Sequence, residues 1–406
     1  MRVFYSVLFS IALTWCFSVQ VAAQTNSVFE WRAGKEIKGD IDCWFITTSQ
    51  QFAITDNQLM VLDPQESETF SLPADYFKTS FSRNGKYFAI QTLDPKESLA
   101  KVDRDLAFTI YSDINQELYR LERKVYYDHT FPMVVVSSAD GSLLLGESDS
   151  GILWFYDKKG NLLREVVLFP DAEYDLEKIL DIDLSEDGSR VAIVASKRGA
   201  SPAGSTAPNP DSESYLFVFN QEGLELWRQA LPELNSSEVV ISPDGQMITT
   251  NSYTISIDGK LDTRALIFNQ QGNILGETAL LFKQARFSRD SQFLLLANNQ
   301  EVHLMNLITG TLLWRKNLPV SAGIIVDLDI ASDGELLVLL RAVTEWDGRQ
   351  FIYQKPVLTI YDRMGTEIQN LTISNEGQAK PVVRFSEEGN TLQVGLGNSL
   401  YLYQKK

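Results

Sequence analysis

A short turn signature recurs seven times and divides most of the chain into units of similar length. It runs from a usually apolar residue through Ser or its equivalent to an acidic or amide residue and Gly, and an apolar run follows. The copies begin near residues 81, 137, 184, 241, 287, 330 and 385, and their last positions are 43 to 57 residues apart. Spacing of about 40 to 50 residues is typical of repeat architectures. We therefore expect one supersecondary unit per copy.

Each signature predicts a tight turn between two strands. Gly tolerates positive φ, and an Asp or Asn side chain accepts hydrogen bonds from backbone amides. The apolar run that follows, as in residues 190–195, is too continuous for a strand with one solvent-exposed face and indicates a strand packed on both faces. A third strand with a second Gly turn comes next, as in residues 155–160, and then a fourth strand, as in residues 224–228. The pattern predicts an all-β fold, a β-propeller of four-stranded blades.

The two ends of the chain bear on the number of blades and on ring closure. A weaker first unit at residues 45–72 raises the count to about eight, with seven as the alternative if that unit is a decorated extension. The last unit stops after its third strand, at residues 401–403. Residues 28–32 match the outer strands that end in Trp-Arg at 227–228 and 314–315. We predict that residues 28–32 complete the last blade and remove the open edges of the ring.

The first 23 residues have the pattern of a secretory signal peptide. Arg2 supplies the positive start, residues 3–17 are largely apolar, and residues 21–23 fit the small-residue rule for cleavage. An uncleaved anchor and a lipoprotein anchor at Cys16 are the alternatives. Cleavage predicts a single propeller domain at 24–406, periplasmic or secreted, with no membrane span. It also leaves Cys43 without a disulfide partner, and we expect this thiol to be packed as a small apolar group.

The repeats resemble known families. The Ser-Pro-Asp-Gly turn at 242–245 resembles bacterial exported β-propellers of the WD40-like and TolB-like kind, and residues 309–314 are similar to quinoprotein-like (PQQ-like) repeats. The resemblance covers residues 28–404 at the level of single repeats, so it implies an architecture and leaves function open. The chain departs from the WD40 pattern because no third strand ends in Trp-Asp. It also lacks the vicinal Cys pair of quinoprotein dehydrogenases.

Composition argues against several classes of function. The net charge of −17 and pI near 4.7 repel nucleic acid and anionic lipid. The chain has two His residues, with no His-Glu-x-x-His and no Gly-x-Ser-x-Gly motif. We therefore predict no metal site, no cofactor and no assigned catalytic residue.

Two regions are candidate sites. One face of the ring carries long connections, including residues 341–355, and binding residues concentrate in loops over a rigid scaffold. The candidate contacts there are aromatic, His and Arg side chains: Tyr126, Tyr127, His129, Tyr174, Trp346 and Arg349. The second region is the central channel, where charges at matched positions of the innermost strands predict a ring of mainly structural ion pairs: Asp181, Asp183, Arg286, Asp327, Asp329 and Arg384.

The sequence thus predicts an exported, non-catalytic binding or scaffold propeller that recognises a protein or a cell-envelope component through its long-loop face. The alternative is a hydrolase or lyase acting on a small polar or sugar substrate at the channel mouth, with Asp183 or Asp329 as acid or base. A deep pocket with converging carboxylates that have no arginine partner would favour the enzyme.

Overall fold

A computed structural model describes residues 28–406 except positions 39, 48–49, 56, 63–66, 94–102, 114–115, 127–131, 171–175, 199–212, 234 and 257. The described residues form eight four-stranded antiparallel sheets and one 3-10 turn, Val320–Ala322. These sheets are the blades of a propeller. The predicted signal peptide at residues 1–23 lies outside the described residues. Within the described part, no helix has the length and apolar character needed to cross a bilayer.

Each of the first seven blades consists of four consecutive strands, ordered from the channel outward. Blades 1 to 3 contain β2 (Cys43–Ile46), β3 (Gln51–Thr55), β4 (Gln58–Leu62), β5 (Glu68–Ser71); β6 (Tyr76–Phe81), β7 (Phe88–Leu93), β8 (Asp103–Asp113), β9 (Gln116–Tyr126); and β10 (Met133–Val136), β11 (Leu143–Glu147), β12 (Ile152–Tyr156), β13 (Leu162–Val167). Blades 4 and 5 contain β14 (Leu176–Leu184), β15 (Arg190–Arg198), β16 (Glu213–Asn220), β17 (Glu225–Ala230); and β18 (Asn235–Ile241), β19 (Met247–Ile255), β20 (Leu261–Asn269), β21 (Ile274–Thr278). Blades 6 and 7 contain β22 (Gln284–Phe287), β23 (Phe293–Ala297), β24 (Glu301–Asn306), β25 (Thr311–Asn317); and β26 (Ile324–Ile330), β27 (Leu336–Trp346), β28 (Phe351–Asp362), β29 (Glu367–Thr372).

The eighth blade joins the two ends of the chain. Its strands β30 (Val382–Phe385), β31 (Thr391–Leu396) and β32 (Ser399–Lys405) are followed outward by β1 (Phe29–Glu36), which pairs antiparallel with β32. Phe29 is fully buried between blades 7 and 8. The prediction of an all-β propeller closed by an N-terminal strand is confirmed, and the blade number is eight.

Apolar packing between blades continues around the whole ring. Eight clusters of buried side chains each join two neighbouring blades, so that every pair from blades 1 and 2 to blades 8 and 1 shares a core. The second and third strands of the blades supply most of these residues, as β15 and β23 show. Burial on both faces of these strands explains why their sequences are continuously apolar.

The recurring signature works as a turn with its own hydrogen-bond network. In blade 4 the buried Ser185 hydroxyl donates to Asp187 Oδ1 at 2.6 Å and accepts from the backbone N–H of Arg190 at 3.0 Å. Asp187 also accepts from the backbone N–H of Ser189, and Gly188 has φ of 72°. The Ser, Asp and Gly of the signature therefore each have a role in reversing the chain.

Two expectations from the sequence are wrong. The connection expected at residues 341–355 is a β-hairpin, because β27 and β28 stay paired out to Trp346 and Phe351. Its arms hold β-branched and aromatic residues, which favour extended pairing. Cys43, the first residue of the short strand β2, is exposed, whereas Trp44 and Ile46 of the same strand are buried.

Candidate functional site

A cavity of about 490 Å³ lies at one end of the central channel. The innermost strands of all eight blades line it near their carboxyl ends, where the signature turns begin. The cavity therefore opens on the face formed by these short turns, called the turn face below. The long β27–β28 hairpin leaves the ring on the opposite side, called the long-loop face.

Two Asp-x-Asp segments link neighbouring blades at this cavity. Asp181 and Asp183 on β14 accept hydrogen bonds from the backbone N–H groups of Val239 and Ile241 on β18, at 2.8 and 2.9 Å. The innermost strand of a blade is a sheet edge, and the N–H groups on its unpaired, channel-facing side need partners. The carboxylates provide these partners and connect blade 4 to blade 5.

The same arrangement recurs three blades further on. Asp327 and Asp329 on β26 accept from the backbone N–H groups of Val383 and Phe385 on β30, at 2.9 and 2.8 Å. A register shift precedes the first Asp of both segments, between Ile179 and Asp181 on β14 and between Ile325 and Asp327 on β26. Such a bulge re-aims the side chains that follow it. These four carboxylates thus act as inter-blade links.

Arg83 extends across the channel. It follows β6 in blade 2, yet its guanidinium bonds to Asp183 at 2.5 Å and to the backbone oxygen of Ile241 at 2.8 Å. These partners belong to blades 4 and 5, so the side chain spans non-adjacent blades. Sequence reasoning missed Arg83, because it lies in a signature turn and outside the inner-strand positions that were compared.

The other two channel arginines share one carboxylate. Arg384 bonds to Asp327 at 2.5 Å, whereas the nearest nitrogen of Arg286 lies 3.7 Å from the other oxygen of Asp327. Arg286 donates to the backbone oxygen of Ala285, and its side chain is 34% exposed to the cavity. Repulsion from Arg384, together with burial, lowers the pKa of Arg286 to about 10. Arg286 is the loosely held member of this cluster.

Asp181 lines the cavity and forms no ion pair with the described residues. Burial raises its pKa to about 7, although the N–H groups of Val239 and Ile182 oppose this shift; Asp183 and Glu238 add to it. Burial likewise raises the pKa of Asp329, against the influence of Arg384 and Arg286. Asp181 therefore changes protonation near neutral pH.

This shift predicts a pH-dependent contribution of Asp181 to stability. Its folded pKa lies above the unfolded value of about 3.9, so the folded state binds the extra proton between pH 4 and 7, and stability falls as pH rises through that window. We expect the wild type to lose roughly 1 kcal/mol or more relative to Asp181→Asn between pH 5 and pH 8. Urea unfolding of both proteins at each pH measures this difference, in which any constant cost of the Asn side chain cancels. A difference that does not change with pH would contradict it.

The structure places the channel candidates together. Asp181, Asp183, Arg286, Asp329 and Arg384 line the cavity, and the buried Asp327 lies among them. Phe45 and Phe81 line the same cavity and stack at 4.2 Å between ring centroids. Sequence reasoning missed this apolar wall, because an aromatic residue in a predicted strand does not by itself indicate a cavity. No group of three or more His, Cys, Asp or Glu able to hold a metal occurs among the described residues.

The candidates on the long-loop face are only partly described. Tyr127, His129 and Tyr174 lie outside the described residues, and Tyr126 is the last residue of strand β9. Trp346 and Arg349 lie at the tip of the β27–β28 hairpin and are exposed.

The hairpin presents an aromatic pair to solvent. Trp346 and Phe351 are opposite each other in the last described pair of the ladder, 57% and 53% exposed, with ring centroids 5.1 Å apart in an edge-to-face arrangement. Asp347 Oδ1 accepts the N–H groups of Arg349 and Gln350, which closes the turn. Tyr353 exchanges backbone hydrogen bonds with Gly377 at 2.8 and 3.2 Å and anchors the hairpin near its base. The aromatic pair is therefore held on an ordered support.

Comparisons with known proteins place the fold in the WD40-like β-propeller class. The chain is similar to the structure of the Dos1 propeller, at 12% identity and a TM-score of 0.56, over 93% of this chain and 96% of that one. It is also similar to the C-terminal WD40 domain of Sif2, at 12% identity and a TM-score of 0.52, over 93% of this chain and 99% of that one. No family model matches the sequence, and no curated protein matches it. At this identity the likeness shows the fold alone.

Proposed function

We propose that this chain is a binding or scaffold propeller that docks a protein partner through the long-loop face. The observation that carries the proposal is the exposed Trp346–Phe351 pair at the tip of an anchored hairpin. Large aromatic side chains dominate the energy of protein interfaces and bury much apolar area at a low entropic cost. Exposed apolar pairs at a protruding tip serve no packing role within the ring.

We further propose that the protein acts in the periplasm or outside the cell and that its partner is an envelope or extracellular protein. Support for this comes from the signal-peptide pattern of residues 1–23. The acidic charge also makes nucleic acid an unfavourable partner. Sequencing the N-terminus of the mature protein from fractionated cells tests export: a start at Gln24 supports it, and a retained Met1 in the cytoplasm contradicts it.

The test of the binding face is a double substitution with a matched control. We expect Trp346→Ala/Phe351→Ala to reduce partner capture by about tenfold or more, because truncation of central aromatic contacts costs about 2 kcal/mol or more. Folding should be unaffected, since exposed substitutions change stability by about 0.5 kcal/mol or less. Affinity capture from an envelope extract, quantified by mass spectrometry, measures the effect.

Leu162→Ala/Leu163→Ala is the control variant. These leucines on the outer strand β13 are 50% and 46% exposed and lie near the turn face. The control removes a similar kind of exposed apolar surface from the other side of the ring, and capture should persist. Capture that survives the hairpin variant and is lost in the control would reverse the assignment of the binding face.

The catalytic alternative has less support from the geometry. Converging carboxylates without arginine partners would favour an enzyme, but Asp183 is paired with Arg83. Asp329 is buried beside Arg384 and accepts the N–H of Phe385. The proposed acid and base, Asp183 and Asp329, therefore have structural partners. Asp181 has no arginine partner among the described residues, but it accepts the backbone N–H of Val239 on the next blade, so we favour the binding function.

A further inference from the structure

One side of the cavity is apolar, and a charged side chain lies on the opposite side. Phe45 and Phe81, on blades 1 and 2, form a stacked apolar wall. Arg286, on blade 6, lies in the opposite half of the ring, with Phe287 beside it in the lining. All three phenylalanines are partly exposed. A volume of about 490 Å³ is within the range of small-molecule sites. The cavity can therefore accept a ligand with one apolar end and one charged end.

Arg286 supplies a guanidinium with donor capacity left over. One N–H group bonds to the backbone oxygen of Ala285, and the contact with Asp327 is 3.7 Å, which is longer than a hydrogen bond. Arg has five N–H donors in a planar fork that fits a carboxylate in a bidentate manner. The remaining donors are free to bind a ligand because the side chain is partly exposed to the cavity.

Local charge favours an anion at this position. Arg384 lies close enough to Arg286 for their repulsion to be the main cause of the lowered pKa of Arg286. Asp327 forms an ion pair with Arg384 and accepts a hydrogen bond from the N–H of Val383. Asp327 and Asp329 offset part of this repulsion, and Arg83 adds to it. A bound anion would relieve the repulsion between the two arginines in a site of reduced dielectric.

We propose that the turn-face cavity binds a small aryl carboxylate, with the carboxylate held by Arg286 and the ring against Phe45 and Phe81. A carboxylate fits the planar donor fork, and the stacked phenylalanines provide an aromatic surface for the ring. The site lies on the face opposite the hairpin and does not depend on the proposed protein-binding function.

Isothermal titration calorimetry with 3-phenylpropionate tests this site on the purified full-length protein. We expect millimolar or tighter binding, as is typical of a fragment with one charged anchor. The neutral 3-phenylpropionamide should bind about tenfold more weakly or not at all, because it lacks the charge-assisted bonds. Acetate and inorganic phosphate should also bind about tenfold more weakly, because neither has a ring.

Arg286→Gln should weaken 3-phenylpropionate binding by about tenfold or more. Arg289→Gln is the matched control, because Arg289 is in the same blade and at the same mouth but is paired with Glu387. Phe81→Leu should weaken binding severalfold by removing half of the aromatic wall. Trp346→Ala/Phe351→Ala should leave this binding unchanged, which separates failure of this site from failure of the hairpin.

Several results would overturn the proposal. Acid and amide that bind equally well would do so, as would phosphate that binds as tightly as 3-phenylpropionate. Unchanged binding in Arg286→Gln would also overturn it, and so would the absence of any heat of binding from the acid at about 10 mM. If Arg286→Gln does not fold, the comparison of acid with amide on the wild type decides the question alone.

Discussion

A chain that begins at residue 37 is expected to melt at a temperature about 5 °C or more below that of a chain that begins at residue 28. The shorter chain lacks β1, the outer strand of blade 8. Its loss uncovers the edge of β32 and removes the fully buried Phe29 from the core between blades 7 and 8. Thermal unfolding followed by circular dichroism measures the shift.

The contribution of Phe29 can be separated from the rest of the strand. Its backbone N–H and C=O both bond to the side-chain amide of Gln369 on blade 7, at 2.8 and 2.7 Å, so it joins blades 8 and 7. Phe29→Ala keeps these bonds and should cost about 3 to 5 kcal/mol through the cavity it leaves. Glu30→Ala, at an exposed neighbouring position, is the control and should cost about 0.5 kcal/mol or less. Equal melting curves for the two truncated chains would mean that β1 does not close the ring.

Asp327→Ala is expected to destabilise the fold by about 3 to 5 kcal/mol. Asp327 is 4% exposed, accepts the N–H of Val383 at 2.9 Å and pairs with Arg384 at 2.5 Å. Its removal takes the carboxylate partner from the partly buried guanidinium of Arg384 and the acceptor from the backbone N–H of Val383, and breaking a largely buried pair in this way is costly. Urea unfolding at pH 7 measures the loss.

Asp333→Ala is the matched control for this substitution. Asp333 is an exposed residue of the signature turn in the same blade and accepts the N–H of Glu335 at 2.9 Å. Its loss should cost about 1 kcal/mol or less, as is usual for one exposed hydrogen bond. Similar costs for the two variants would show that the channel charges contribute no more than surface turns do.

The repeat signature made the architecture predictable, because its structural cause is local. Gly188 and Asp187 determine a turn within five residues, and the same turn fixes where two strands meet in each blade. Ring closure was predictable for a related reason: the outer strands β17 and β25 contain a Trp-Arg pair like that at residues 31–32, and Trp31 pairs with Tyr403 in β32. Short-range rules of this kind can be read directly from the residues.

The features of the channel depend on long-range geometry and were only partly predictable. The charged positions 181, 183, 286, 327, 329 and 384 follow from strand alternation, which shows that their side chains share a direction. Alternation does not show that Asp181 and Asp327 follow bulges, or that their carboxylates bond the backbone of the next blade. Arg83 reaches partners 100 and 158 residues away, a contact that no local pattern encodes.

Site-specific photo-crosslinking tests the proposed binding face most directly. Phe351→p-benzoylphenylalanine places the reactive group at the hairpin tip, and Lys159→p-benzoylphenylalanine places it in an exposed turn on the opposite face. In cells that produce the full chain, we expect a specific protein adduct from position 351, its loss when Trp346→Ala is added, and none from position 159. An adduct from position 159 alone would contradict the assignment of protein binding to the long-loop face.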